Sequence, residues 1–145
     1  MIRAVLDTNT IVSAILVPGR ASGQVLDAVR AGHFVLIVSS AIVDEVTRTL
    51  NRDRIRQRYR LTAHEVSATR RLLENSAELT ELTFTVQGVA THPEDDLILA
   101  TAVSGQADYL ETWDAQLLKL NAYEGVTIVS PRDFLDRLSP HDPAS

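Results

Sequence analysis

The feature that most constrains the fold is a regular alternation of short apolar runs with helical patterns. Five runs rich in β-forming residues predict strands at residues 2–6, 34–38, 82–90, 108–112 and 126–129. The segments between these runs carry apolar residues at helical spacing. Such alternation is typical of a mainly parallel sheet that is covered by helices on both faces. We therefore predict an α/β domain in which the carboxyl ends of the strands share one edge.

Several helices have recognisable start or stop signals. Thr62 and Glu65 form a capping box, with Leu61 and Val66 placed as its hydrophobic staple. Residues 10–19 end in a Pro-Gly pair, which predicts only a short turn of helix before a loop. The other predicted helices cover residues 22–31, a segment capped by Ser39 or Ser40, residues 93–104, and a last segment opened by Ser130 and Pro131.

Composition limits the class of protein. The chain has 145 residues, of which 45% are hydrophobic, so we predict one domain with a single core. The absence of cysteine excludes disulfides, thiolate nucleophiles and Cys-bearing zinc sites, and it suits a reducing cytosol. We find no signal-peptide pattern and no apolar run near the ~20 residues of a membrane span. A cytoplasmic protein with no membrane association is therefore expected.

Acidic residues follow four predicted strands at the same edge of the sheet. Asp7 comes directly after the first strand, and Glu45 lies in the early turns of the helix after the second. Asp95 and Asp96 begin the helix after the third strand, and Asp114 comes two residues after the fourth. Open α/β sheets bind their ligands at this edge. One such acid alone would be an ordinary helix cap or loop residue, but four arriving by separate routes favour a shared site.

Carboxylates gathered at one edge indicate a bound cation. They repel one another in a partly desolvated cleft, and a divalent cation removes that cost while requiring hard oxygen ligands. Such a site can activate a water and orient it towards a phosphodiester. The four histidines are scattered, and the sequence has no Gly-x-Ser-x-Gly, Walker A or Gly-x-Gly-x-x-Gly motif. A phosphotransferase of the haloacid-dehalogenase type is disfavoured, because Asn9 stands where that chemistry needs a second aspartate.

Three segments resemble the motifs of a known family. They are residues 6–14, which include Asp-Thr-Asn, residues 93–100, an acidic run that opens a helix, and residues 107–120. From residue 2 to about residue 138 the chain resembles the PIN domain, specifically the branch of toxins of toxin–antitoxin pairs related to VapC ribonucleases. The resemblance implies a three-layer α/β/α sandwich with a central five-stranded, mainly parallel sheet. It places a PIN domain at residues 1–138, and residues 139–145 have no apolar anchor, so we predict a disordered tail there.

The resemblance also implies site residues and partners. The catalytic, metal-binding set would be Asp7, Glu45, Asp96 and Asp114, which would hold Mg²⁺ or Mn²⁺. Asp95 would be a helper, because the acidic run offers two registers and the spacing Asp-x-x-x-Ala continues from Asp96. Thr8 or Asn9, together with Thr112, would orient ligands or water. The family's toxins cut RNA, often tRNA or other structured RNA, are silenced by a cognate antitoxin, and often form homodimers.

Departures from the family pattern leave a second hypothesis open. The fourth motif usually reads Thr-Gly-Asp-x-Asp, whereas here Trp113 replaces the glycine and Gln116 replaces the second aspartate. His92 also stands where an acid is common. The first hypothesis is a metal-dependent endoribonuclease that acts as the toxin of a type II toxin–antitoxin pair. The alternative is a PIN-fold module that binds RNA or protein with weakened or lost catalysis.

The net charge of −5 conceals an uneven distribution. Residues 48–71 hold eight arginines against two acids, a balance of +6, and the rest of the chain has a balance of −11. Arginine occupies every second position from 52 to 60, which spreads charge around a helix but aligns it on one side of an extended segment. Candidates for contacts with RNA phosphates or an acidic antitoxin segment are Arg48, Arg52, Arg54 and Arg56. The alternative is a solvated charged helix.

Overall fold

One sheet organises the part of the chain that the computed structural model describes, which is residues 1–89 and 93–138 apart from the side chain of Glu94. Its strands are β1 (Arg3–Leu6), β2 (Val35–Val38), β3 (Glu78–Leu79), β4 (Tyr109–Glu111), β5 (Ala122–Tyr123) and β6 (Val126–Val129). The helices are α1 (Thr8–Leu16), α2 (Ala21–Arg30), α3 (Ser40–Leu50), α4 (Asp53–Tyr59), α5 (Ala63–Ser76), α6 (Pro93–Ser104), α7 (Ala115–Leu120) and α8 (Pro131–Leu138). The tail predicted at 139–145 lies outside the described residues, and so does His92.

The order of the strands creates a crevice at the centre of the sheet. Across the sheet the order is β3-β2-β1-β4-β6-β5, and every pair is parallel except β5 with β6. The chain first builds outward from β1 to β3 and then continues from β4 on the other side of β1. Strand order therefore reverses between β1 and β4, where Leu6 pairs with Glu111. Ligands of open α/β sheets bind outside the carboxyl ends of the strands at such a reversal.

Helices cover both faces of this sheet. On the face that carries Tyr109, the ring of Phe134 in α8 packs edge-on against Phe34 and Tyr109, with centroid separations of 4.9 and 5.6 Å. On the opposite face, Gly105 at the end of α6 lies so close to β2 that a Cβ there would be 2.6 Å from Ile37 Cγ2. The predicted α/β fold, with a mainly parallel sheet between helical layers, is confirmed.

The sheet has six strands where five were expected, because a short hairpin adds β5. Its two-residue turn consists of Glu124 and Gly125, which have φ angles of 48° and 82°. Positive φ at both positions is the signature of the type I′ turn that joins antiparallel strands tightly. Glutamate is an uncommon residue for the first of these positions, so the hairpin has only a weak signal in the sequence.

The third strand was predicted at the wrong place. It forms at Glu78–Leu79, and none of the described residues from 82 to 89 belongs to a strand. The apolar alternation in this segment reflects packing along α6. The N–H groups of Thr83 and Phe84 donate to Ser104 Oγ at 3.0 and 3.1 Å, and the Gly88 N–H donates to Asp96 Oδ2 at 3.0 Å. Hydrogen bonds to helix side chains thus replace strand pairing.

Three helices differ from the prediction. The segment around residues 10–19 forms a nine-residue helix, α1, that starts earlier than expected because the Asp7 side chain caps it. The arginine-rich segment forms α4, so its cations are spread around a helix. α7 was not predicted, and it begins where Asp114 caps its first turn. The capping box of α5 is present, with both Thr62–Glu65 hydrogen bonds at 3.0 Å. None of the helices in the described part of the chain is long and apolar enough to cross a bilayer.

The loop between α1 and α2 packs directly against the first turn of α2. A Cβ at Gly23 would lie 1.9 Å from the carbonyl oxygen of Pro18. Glycine at position 23 therefore allows the backbone of this loop to touch the helix. The contact fixes the path of the chain into Ala21 and Ser22, whose side chains are buried.

We predict that Gly23→Ala lowers the free energy of unfolding by about 1–3 kcal/mol, because the added methyl group overpacks the contact with Pro18. Urea unfolding measures the change. Gly19→Ala is the matched control, since a Cβ at Gly19 meets nothing within 4 Å, and it should change stability by no more than about 0.5 kcal/mol. Equal stability of Gly23→Ala and the wild type would contradict the close approach of loop and helix.

Candidate active site

Asp7 is the most firmly held of the predicted acids. It follows β1 at the carboxyl edge, and only 5% of its surface is exposed. Its Oδ1 accepts the N–H of Asn9 at 2.9 Å, which caps α1, and its Oδ2 accepts the hydroxyl of Thr112 at 2.7 Å. A buried carboxylate is stable only when such partners replace water. The early turn of α1 and the end of β4 therefore fix this side chain.

Thr112 connects Asp7 with Asp114. The Thr112 hydroxyl is fully buried, donates to Asp7 Oδ2 and accepts the N–H of Asp114 at 2.9 Å. Asp114 Oδ1 in turn accepts the N–H groups of Gln116 and Leu117 at 2.9 and 3.0 Å and caps α7. Its other oxygen accepts no hydrogen bond from the described residues. The structure thus brings Asp7, Thr112 and Asp114 together at the reversal of strand order.

The amino end of α6 overhangs the same edge. Thr101 hydrogen-bonds at 3.0 Å to Ser39, just past the end of β2, while Gly105 O accepts the Arg3 guanidinium at the start of β1. α6 therefore runs opposite to the strands. Asp95 precedes Thr101 by six residues, a rise of about 9 Å at helical pitch, so it lies beyond the carboxyl ends of the strands.

Asp95 and Asp96 lie on different faces of α6. Asp95 precedes the buried Ile98 and Ala102 by three and seven residues, and Asp96 precedes the buried Leu99 and Ala100 by three and four residues. Asp96 accepts the Gly88 N–H and lines a groove with the 82–88 segment. Burial along α6 therefore favours neither acid, and Asp96 is engaged by the 82–88 segment.

Glu45 lies on α3, near the carboxyl edge as predicted, but it has a local partner. Its carboxylate pairs with Arg48 one turn later at 3.0 Å, and its side chain is 30% exposed. α3 packs beside α1, the helix that Asp7 caps. The Glu45 carboxylate is thus engaged within its own helix.

The residues present match a hard divalent cation in their chemistry. Among residues 1–89 and 93–138, no group of three or more Asp, Glu or His is drawn together closely enough to hold an ion. Carboxylate oxygens are nevertheless the donors that Mg²⁺ prefers, and Thr112 links the Asp7 carboxylate to the backbone of Asp114.

A model of the PIN domain family matches residues 3–116 of the sequence. The chain belongs to the PIN domain family. The resemblance read from the motifs is therefore confirmed over most of the chain, including the segments that carry Asp7, Asp95 and Asp114. No protein of curated function matches the sequence.

A solved structure agrees with this family in fold. The PIN domain described here is similar to a chain in the crystal structure of VapBC2 from Rickettsia felis bound to a DNA fragment from their promoter. The TM-score is 0.59 at 15% sequence identity, and the match covers 88% of this chain and 97% of that one. At this identity the likeness concerns the fold alone.

A buried acid that the sequence analysis missed lies beneath the site of this PIN domain. Glu111 ends β4 with none of its surface exposed, and neither carboxylate oxygen has a hydrogen-bond partner among the described residues. Burial raises the pKa of Glu111 well above its ordinary value. The one signal in the sequence was an acid inside a predicted strand next to Leu110.

The arginines predicted to contact RNA or an antitoxin are spread over the surface of the PIN domain. Arg48 is engaged by Glu45, and Arg56 donates through Nε to the carbonyl of Leu61 at 3.4 Å. Arg52 and Arg54 are exposed at the start of α4 and form no ion pair with the described residues. These cations form a diffuse positive surface around α4 rather than a track.

We predict that replacing Glu111 by glutamine changes the pH dependence of stability. Because the pKa of Glu111 is raised in the folded state, its contribution is fully present below the unfolded value of about 4.5 and is lost as the pH rises towards the folded value. Glu111→Gln should therefore gain stability relative to the wild type as the pH rises above about 4.5. Urea unfolding between pH 5 and 8.5 in EDTA measures the trend.

Glu124→Gln is the matched control, because Glu124 is an exposed carboxyl in the turn between β5 and β6. Glu124→Gln should change the free energy of unfolding by the same small amount at every pH in the range. A difference between Glu111→Gln and the wild type that stays constant across the range would contradict the assignment of a raised pKa to Glu111.

Proposed function

We propose that this PIN domain is a metal-dependent endoribonuclease and the toxin of a type II toxin–antitoxin pair, acting in the cytoplasm. The observation that carries the proposal is the hydrogen-bonded arrangement of Asp7, Thr112 and Asp114 at the reversal of strand order. PIN domains are generally nucleases. The sequence also has no other motif for a catalytic nucleophile. Acidic residues at the ligand-binding edge of the sheet are therefore the groups best placed for catalysis.

The proposed ligands of Mg²⁺ or Mn²⁺ are Asp7, Asp114 and Asp95, with Glu45 joining them when it turns away from Arg48. Sequence spacing favoured Asp96 over Asp95 for this role. The hydrogen bond at Asp96 favours Asp95, because Asp96 faces the 82–88 segment and holds the Gly88 N–H. When bound, the cation would supply an activated water and would neutralise charge at the scissile phosphodiester.

The neighbouring residues have positioning roles in this proposal. The Thr112 hydroxyl holds the Asp7 carboxylate in one rotamer and the backbone of Asp114 beside it. Asn9 fixes the other Asp7 oxygen through its backbone N–H, and Thr8 follows Asp7 as the half-buried first residue of α1. Residues that orient metal ligands commonly change activity about 10–100-fold when they are replaced.

The proposed partners are an RNA substrate, such as tRNA or another structured RNA, a cognate antitoxin and a second copy of the chain. The structure named for VapBC2 of Rickettsia felis holds its proteins as a complex on promoter DNA, which supports an antitoxin partner for a chain of the same fold. The exposed arginines of α4, including Arg52 and Arg54, offer a positive surface to RNA phosphates or to an acidic antitoxin segment.

A second candidate is a PIN domain that binds RNA or protein without efficient cleavage. Trp113 and Gln116 favour it, because they replace a glycine and an aspartate of the usual fourth motif. The engagement of Asp96 by the Gly88 N–H and of Glu45 by Arg48 also favours it. Mn²⁺ binding by the wild type without cleavage of RNA would select this candidate.

We predict that, with Mn²⁺ and total tRNA, each of Asp7→Asn, Asp95→Asn and Asp114→Asn loses more than about 100-fold in the rate of cleavage, which is a larger loss than for a positioning residue. Asp96→Asn should lose less of the cleavage rate, because the amide oxygen of asparagine can also accept the Gly88 N–H. Cleavage is measured on end-labelled RNA in gels.

Asp136→Asn is the matched control, because Asp136 is an exposed acid in the middle of α8. It should cleave at the wild-type rate. If Asp96→Asn is inactive while Asp95→Asn is active, the assignment of Asp95 fails. If all variants cleave as the wild type does, the acidic site is not the catalytic centre.

A further inference from the structure

We propose that a pocket beside Trp113 binds one nucleotide of the RNA, with the base stacked on the indole and the phosphate held by Arg20 and Arg132. This inference rests on the proposed function, which supplies RNA as the substrate class, and it adds the place where a nucleotide flanking the cleaved bond is recognised. The site is built by residues that neither the metal nor the acids use.

The pocket lies where the amino ends of α2 and α8 meet the end of β4. Its volume is about 670 Å³, within the ~300–1,000 Å³ typical of small-ligand sites. Its lining residues are Ser13, Gly19, Arg20, Ala21, Ser22, Trp113 and Arg132. A single nucleotide combines a flat apolar base with a charged phosphate, and this lining offers a counterpart to each.

Trp113 is a fixed and accessible aromatic surface. Half of its surface, 51%, is exposed, which is costly for so large an apolar side chain unless something covers it. The ring is not free to turn, because its Nε1–H donates to Ser22 Oγ at 3.0 Å and Ser22 is itself buried to 99%. A rigid indole of this kind can stack any base, since every base has a π-face.

The cations of the pocket are available for an anion. Arg20 and Arg132 form no ion pair with the described residues. By contrast, Arg30 at the other end of α2 is paired with Asp27 at 3.1 Å. Arg20 is the N-cap of the ten-residue α2, and no side chain caps that end. The first-turn N–H groups of α2 and the guanidinium groups would therefore act together on a phosphate.

The chain places this pocket next to the acidic site. Trp113 stands between Thr112 and Asp114, and successive side chains of an extended segment point to opposite sides. Thr112 thus reaches Asp7 on the face covered by α6, while Trp113 reaches Ser22 on the face covered by α2. A nucleotide stacked on Trp113 would extend its backbone across the end of β4 towards the acids.

The composition of the pocket favours a nucleotide over an acidic peptide. An acidic peptide would satisfy Arg20 and Arg132 but would leave the indole face without a planar group to stack on. Base stacking accounts for both the exposure of Trp113 and the bond that fixes it. The close approach of Gly23 to Pro18 also holds the loop before Arg20 in place, so the backbone that carries Arg20 is positioned without a bound partner.

Trp113 is the sole tryptophan of the chain, so its fluorescence reports on the pocket directly. The experiment titrates the whole protein, in EDTA, with AMP, GMP, CMP and UMP, with ribose 5-phosphate, and with a hexaglutamate peptide. We expect each nucleotide to quench the fluorescence saturably, more tightly at low salt, and ribose 5-phosphate to bind without comparable quenching. Arg20→Ala and Arg132→Ala should each weaken nucleotide binding about tenfold. Arg30→Ala, the paired control, should not.

A fluorescein-labelled single-stranded pentaribonucleotide tests the stacking by anisotropy. Trp113→Ala should weaken its binding about tenfold, whereas Trp113→Phe, which keeps a ring, should stay within about threefold of the wild type. Quenching by nucleotides no stronger than by ribose 5-phosphate would overturn the proposal, and so would equal quenching by hexaglutamate. The titration contains no metal, so its result is independent of the cleavage assay with Mn²⁺. Cleavage of RNA by a wild type that shows no quenching by nucleotides would overturn this inference alone. Quenching by nucleotides in a protein that does not cleave RNA would overturn the proposed nuclease alone.

Discussion

The hydroxyl of Thr112 is the contact on which the candidate site depends. It is buried between the ends of two neighbouring strands, donates to Asp7 Oδ2 at 2.7 Å and accepts the Asp114 N–H at 2.9 Å. A hydrogen bond to a buried charge contributes about 1.5–3 kcal/mol, and its loss leaves the partner unsatisfied. One side chain therefore joins residues that are more than a hundred positions apart in sequence.

The end of β4 serves two sides of the molecule because its side chains alternate. The Thr112 side chain points towards Asp7 and α6, and the Trp113 side chain points towards Ser22 and α2. In a family whose fourth motif usually has glycine before the aspartate, a tryptophan at this position adds an aromatic surface without disturbing the cap that Asp114 provides to α7. The side chains on the two sides of β4 can thus vary independently at adjacent residues.

The fold was largely predictable, because apolar runs and helix caps are local signals that the sequence states directly. The position of Asp7, Glu45 and Asp114 at the carboxyl edge followed from the same pattern. The third strand was misplaced because the alternation in residues 82–89 looks the same whether it pairs with a strand or packs on α6. Two adjacent acids open α6, and no local pattern in the sequence indicates that the Gly88 N–H donates to Asp96.

The most direct test of the account is the position of a bound cation. Crystals of the wild-type protein grown with Mn²⁺ and measured at the manganese absorption edge locate the ion by its anomalous scattering. A metal site built from these acids should give one peak at the junction of β1 and β4, within coordination distance of carboxylate oxygens of Asp7, Asp95 and Asp114. An ion bound elsewhere, or the same three carboxylates apart and without any peak at saturating Mn²⁺, would contradict it.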